Sequence, residues 1–223
     1  TTLPVMSAEI YDDGAEVCGL YIGTLENPFK QKPKMKSAYF KKRVNNVVVT
    51  AEGFQGDEHG RYHGGVDRAV NHFPSEDYEK IIKNFPELKE TLSAGEFNGF
   101  GENISTCGGN MNFHTVCIGD IFTVGSCRFE VAHPRYPCKK VNFRHDANSL
   151  QNFVLRNGLN GWFYRVLECG EIKIGDKFLR VAHPYPEWTL YRLQTGIYGY
   201  SASKGKTAEF FQSIIDLSPL PDN

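Results

Sequence analysis

The chain is predicted to fold as a mostly-β barrel with a few α-helices over residues 17–183, followed by a small helical C-terminal extension over 186–223. Three observations carry this expectation. Short apolar or β-branched runs, such as Val17 to Gly23 and Val47-Val48-Val49-Thr50, recur between glycine, proline and polar clusters. Two later segments echo each other. Ile118-Gly119-Asp120-Ile121-Phe122-Thr123-Val124 resembles Ile174-Gly175-Asp176-Lys177-Phe178-Leu179-Arg180-Val181, and Val131-Ala132-His133-Pro134 recurs as Val181-Ala182-His183-Pro184. Each Gly-Asp reads as a turn into a strand and each His-Pro as a strand end. Unequal spacing between the copies rules out a solenoid and points to short antiparallel strands closing on each other. After Pro186 the pattern changes to short helical segments.

Val17 to Gly23 is a first strand. Lysines then crowd Lys30 to Lys42 around Ser37-Ala38-Tyr39-Phe40, either as a solvated basic loop or as part of an anion site; composition favours the solvated loop. Val44 to Thr50 is a strand. Gly53 to Val70 holds five glycines and mixed charges and cannot be a regular helix or strand. Successive N–H groups in such a loop can form an anion-binding nest. His59 and His63 would share a helical face as a metal pair, but Gly60 and Gly64 oppose a helix. Ser75 to Lys83 reads as a helix with Ser75 as N-cap, acids first and lysines later. Pro86 to Leu92 is a second short helix, and Gly95 to Gly109 is a glycine-rich loop containing Phe100-Gly101-Glu102-Asn103. Phe129 to Ala132 is a strand. Ser149 to Val154 and Gly161 to Leu167 carry helical apolar spacing. Leu190 to Leu193 and Ala208 to Ile215 read as the helices of the extension.

Composition bounds the function. With 223 residues, 40% hydrophobic and 23% charged, the chain has room for one large domain and a small appendage. A net charge of -1 means that any anion site comes from local clustering, and a direct nucleic-acid partner is not expected. None of the six cysteines forms a C-x-x-C pair, although an even count leaves disulfides open. No signal-peptide pattern and no membrane-length apolar run occur, so a cytoplasmic setting with free thiols and no membrane partner is expected.

The stretch that draws chemical attention is His133-Pro134-Arg135-Tyr136-Pro137-Cys138-Lys139-Lys140-Val141-Asn142. Its prolines fix φ and remove N–H donors, so the preceding strand must end in a stiff loop. Arg135, Lys139 and Lys140 all lie within three residues of Cys138, and no carboxylate does. Nearby cations favour the thiolate, which is both nucleophile and soft metal ligand.

Taken together, Gly56-Asp57, His63-Gly64-Gly65 with Asp67-Arg68-Ala69-Val70, Phe100-Gly101-Glu102-Asn103, Gly119-Asp120, and Pro134-Arg135 with Pro137-Cys138 and Lys140 resemble the MOSC family, named for the C-terminal domain of molybdenum cofactor sulfurase. The match runs from about Ser37 to Val181 and is similar to the YiiM-like branch, the 6-N-hydroxylaminopurine reductases. The resemblance implies a MOSC-type β-barrel binding the molybdenum cofactor, a molybdopterin, with Cys138 as molybdenum ligand or sulfur-carrying thiol. It further implies that Arg68, Arg135 and Lys140 pair with the phosphate and that Gly64 and Gly65 let the cofactor approach. Asn103 would read the pterin, and Lys41, Ser105 and Asn142 would complete the cofactor-binding set. His63 is the candidate proton donor. Ser37 and Lys41 preserve a Ser-x-x-x-Lys element, with Tyr39-Phe40 bulkier than usual between them. The implied activity is reduction of small N-hydroxylated compounds using electrons from an external electron-donor protein, since no iron–sulfur or flavin fingerprint is visible. A persulfide carrier, a non-enzymatic cofactor carrier and a thiol redox sensor are the alternatives, and a homodimer is left open.

Overall fold

In the computed structural model, which describes residues 11–60, 63–93 and 98–198, the longest strand is the seam of the barrel. Strand β1 (Tyr11–Ile22) turns Ala15, Val17 and Leu20 inward. Its N-terminal half pairs with β11 (Lys177–Ala182), and its C-terminal half pairs with β6 (Ile104–Cys107) and β2 (Lys42–Val44). A bulge between Val17 and Gly19 lets one strand serve neighbours on both sides. From β11 the sheet continues through β7 (Ile121–Val124), β8 (Cys127–Pro134), β9 (Trp162–Glu168), β5 (Val70–Pro74) and β6 back to β1. Seven strands therefore close on themselves, with β2 appended, and closure removes free edges. Of the described pairings, β5 with β6 is the parallel one. A small second sheet joins β10 (Gly170–Lys173), β3 (Asn46–Thr50) and β4 (Gly53–Phe54).

The barrel interior is apolar: Val17, Leu20, Val70, Ile104, Phe122, Phe129, Trp162, Tyr164 and Phe178 are all buried in one cluster. One polar group sits among them. The His72 ring bonds the Tyr164 hydroxyl (2.9 Å) and the Thr106 hydroxyl (2.8 Å), and lies 4.3 Å from the Trp162 ring. A second cluster lies outside the barrel, where α1 (Glu76–Asn84), α2 (Lys89–Ser93), α3 (Lys140–His145) and α4 (Leu150–Asn157) cover one flank. Its core contains Phe29, Tyr39, Phe73, Tyr78, Phe100, Val141 and Val154. Phe73 and Phe100 stack at 4.5 Å, which ties β5 to the loop before β6.

Several sequence expectations need revision. Gly161 to Leu167 is not helical; it is β9, paired with β8 on one side and β5 on the other. Trp162 and Tyr164 alternate inward, and short apolar runs fit both periods until pairing partners decide. Val44 to Thr50 is two strands rather than one, broken at Asn45, with β2 and β3 in different sheets. Helix α5 (Leu190–Tyr198) runs beyond Leu193, and the expected helix over Ala208 to Ile215 lies outside the described residues. Leu190 joins the barrel cluster, while Trp188 and Leu193 pack on Ile118. All six cysteines are unbridged.

Candidate functional site

A cleft of about 450 Å³ opens at the barrel rim. It forms where the segment before β2, the glycine-rich loop before β5, the loop before β6 and the loop after β8 meet. Lys41, His63, Gly64, Arg68, Asn103, Arg135, Cys138 and Lys140, all singled out in the sequence, line it together. The β8 loop is held in place by an Arg135 N–H donated to the Gly161 carbonyl (3.0 Å), and α3 starts two residues after the half-buried Cys138. Gly64 has φ +92°, and a Cβ there would stand 2.9 Å from the His59 ring. Only glycine lets this turn pack against that ring.

The floor is a buried charge cluster. The Asp57 carboxylate is fully buried and pairs with the Lys41 ammonium, itself 6% exposed. Asp57 also accepts hydrogen bonds from the Gly23 N–H (2.7 Å) and the Asn103 amide (2.8 Å). Burial pushes the Lys41 pKa down, and Asp57 opposes that shift. Asn103 also donates to the Tyr21 carbonyl (3.2 Å) and accepts from the Asn71 N–H (3.1 Å). Both amide donors of Asn103 are thus committed, so its role is to hold Asp57 and β5 rather than to read a ligand with N–H groups.

At the rim, Lys140 Nζ stands 3.1 Å from His63 Nε2. Burial, followed by the charges of Lys140, Arg135 and Arg68, pushes His63 down to about 4. His63 is therefore neutral near pH 7 and accepts this hydrogen bond. The Lys140 ammonium beside it has its own pKa lowered, chiefly by burial.

The wall holds polar atoms with no partner. Arg135 is 7% exposed; one guanidinium nitrogen donates to the Phe100 carbonyl (2.7 Å), and the other, Nη1, is buried and unpaired. His133 Nδ1 bonds the Pro134 carbonyl (3.0 Å), which leaves a buried, unpaired Nε2. Asn71 Oδ1 is buried and unpaired as well. All three residues line the cleft. Unsatisfied buried polar atoms are costly, and together these offer one donor and two acceptors to an occupant.

Three expected residues lie elsewhere. Ser105 is buried, and its hydroxyl donates to Glu102 (3.3 Å), a residue that also accepts from Tyr78 and from the Phe100 N–H. The Asn142 side chain bonds Asn148 and Gln151 at the start of α4, away from the cleft. Gly65 is exposed and outside the cleft lining. Conversely, Asp57, Asn71 and His133 were absent from the sequence-derived site. Asp57 and His133 stood within the motifs but gave no sign of their orientation, and Asn71 sat inside an apolar strand with no signal.

A separate triad brings the echoed motifs together. Cys117, Asp120 and His183 lie within 4.8 Å of one another. Arg180 Nη1 is 3.6 Å from Asp120, and His183 is 2.6 Å from it. The thiol of Cys117 faces the Pro186 carbonyl (3.5 Å) and is pushed up to about 12, mainly by burial. An arginine already neutralises the carboxylate, so this is a structural clamp between β7, β11 and the segment leading to α5.

The fold and site together define a closed β-barrel whose rim loops frame a cationic, thiol-bearing cleft. The MOSC domain family model matches residues 59–178, and the chain belongs to that family. It is 34% identical over 182 residues to a protein of Gibberella moniliformis described as a reductase, covering 80% of this chain and 32% of that relative. It is 35% identical over 156 residues to YiiM of Escherichia coli, covering 69% of this chain and 66% of that protein. The chain thus spans about a third of the first relative and just under two-thirds of the second. The crystal structure of YiiM from Geobacillus stearothermophilus shares the fold, with TM-score 0.72 at 23% identity over 93% of both chains. The cofactor associated with this family meets fitting groups here: a soft thiol at Cys138, the unpaired Arg135 donor, and the unpaired His133 and Asn71 acceptors.

Proposed function

We propose that the protein is a molybdenum-dependent reductase of small N-hydroxylated compounds, hydroxylaminopurine-type bases among them. The single observation that carries this reading is that the accessible thiol of the β8 loop shares its cleft with three unpaired buried polar atoms. Cys138 would hold the molybdenum, while Arg135 and Arg68 would pair with the cofactor phosphate. When bound, the cofactor supplies the two-electron redox chemistry. The net reaction takes R–NHOH, two electrons and two protons to R–NH2 and water.

The chain's own residues do the rest. Lys140 lies between His63 and the thiol loop and can deliver a proton at the rim; neutral His63 orients it. The Lys41–Asp57–Asn103 floor fixes the two loops that the cleft spans. The test is Cys138→Ser, with molybdenum content, turnover and the folding transition each measured. The expected result is loss of turnover and of bound molybdenum, with a melting temperature equal to that of the cofactor-free parent, because a hydroxyl is a harder and far less acidic ligand than a thiol. A fully active Cys138→Ser protein refutes the reading.

A further inference from the structure

Apart from Lys41, the lysine run of the sequence does not line the cleft, and the structure shows where it lies. Residues 24–43 hold seven of the 25 Lys and Arg but only one of the 26 Asp and Glu, in a chain of net charge -1. Ser37, Ala38 and Tyr39 from this segment line the cleft, and Gln31 to Met35 line an open depression. The segment is fastened to α3 beside the thiol loop. Phe29 packs edge-on to Phe143 (6.1 Å), Gln31 donates to the Phe143 carbonyl (3.5 Å), and Arg144 donates to the Tyr39 carbonyl (3.2 Å). Arg144 also lies 4.3 Å over the half-exposed Phe40 ring. Lys30, Lys32, Lys34 and Lys36 are exposed on the segment, and Lys139 is exposed next to Cys138. Among the described residues, none of these five lysines has a carboxylate partner.

Uncompensated like charges repel one another and destabilise the fold. Concentrated on a segment that itself lines the cleft, they set up a local field that a neutral small substrate does not need. From this geometry we infer that the basic collar is the docking surface for an acidic electron-donor protein or domain. The inference rests on the reductase reading, because the two electrons must reach the cleft from outside it. A protein carrying a reduced flavin or iron–sulfur centre behind an acidic surface fits the collar's charge and brings its centre to the thiol loop. Such steering acts over roughly a Debye length, about 8–10 Å at moderate salt, so it is sensitive to ionic strength.

The test measures binding of an acidic flavodoxin to the full chain by calorimetry at low and high salt. Beside it, turnover is driven either by the reduced flavodoxin or by reduced methyl viologen, a small donor that needs no docking. The variant Lys30→Glu/Lys32→Glu/Lys34→Glu/Lys36→Glu is compared with Lys83→Glu/Lys173→Glu, which reverses exposed lysines away from the collar. The expected result is flavodoxin binding that weakens with salt and falls at least about tenfold in the collar variant but less than about twofold in the control. Viologen-driven turnover should be the same in all three proteins. Equal flavodoxin binding by the collar variant and the parent overturns the inference. So does collar-dependent binding confined to phosphatidylserine vesicles or to an oligonucleotide. Absence of viologen-driven turnover in the parent would instead refute the reductase reading, and the calorimetry still decides the docking surface.

Discussion

Replacing Asp57 by asparagine tests whether the charge cluster under the cleft holds its two loops together. The carboxylate is fully buried, pairs with Lys41, and accepts from the Gly23 N–H and the Asn103 amide. Asparagine keeps the shape but removes the counter-charge of an ammonium that is 6% exposed. It also places an N–H2 group where only acceptors are wanted. Removing one partner of a buried ion pair costs about 3–5 kcal/mol. For a domain of this size each kcal/mol moves the melting temperature by roughly 2–4 °C, so Asp57→Asn should melt roughly 6–20 °C lower. Burial already lowers the Lys41 pKa, so the lysine can shed its proton in the variant, which keeps the loss toward the lower end. Circular dichroism melts at neutral pH measure the loss. The double variant Asp57→Asn/Lys41→Met, which leaves no buried charge, should recover much of it. If the single variant melts within about 2 °C of the parent, or the double variant melts no higher than the single one, the cluster does not hold the loops and the reasoning fails.

Three further outcomes are expected. Burial pushes His72 down to about 3, so the unfolded chain takes up a proton below about 6.5 that the folded barrel refuses. Stability is therefore complete above about 6.5 and lost as pH falls toward 3, by at most about 5 kcal/mol, and urea unfolding of His72→Gln should lack this acid limb. Asp77 behaves oppositely: burial raises it to about 6, so the folded state keeps a proton the unfolded chain has lost, and stability falls as pH rises from about 4 to 6. Asp77→Asn should raise stability at pH 7 by up to about 3 kcal/mol, reduced by the lost bond to Lys80, and no gain there would count against the burial argument. Gly64→Ala should cost more than Gly65→Ala although both have φ near +93°, because a Cβ at Gly64 meets the His59 ring whereas at Gly65 it meets nothing within 4 Å; thermal melts of the two variants compare them.

The barrel class was legible in the chain, since alternating short strands and Gly-Asp turns are local signals that survive any packing. The sequence also marked Cys138 within its proline-stiffened, cationic loop, because that cluster is contiguous in the chain. The motifs set around Gly64, Asn103 and Arg135 were legible too, and glycine at Gly64 has a local cause in its φ. Which atoms in those motifs remain available depends on contacts between distant segments. Asn103 reads as a free amide until Tyr21, Asp57 and Asn71, from three distant segments, consume its hydrogen bonds. His63 reads as an isolated loop imidazole until Lys140, 77 residues away, sits on its Nε2. Ser105 and Asn142 share motifs with true cleft residues, yet strand alternation and the start of α4 turn them elsewhere. Gly161 to Leu167 could have been helix or strand, and the choice was made by β5 and β8 on its two sides. The physical reason is the same in each case. Local pattern sets backbone conformation, but hydrogen-bond satisfaction and burial are properties of groups brought together from far along the chain, and these decide which polar atoms are left to meet a ligand.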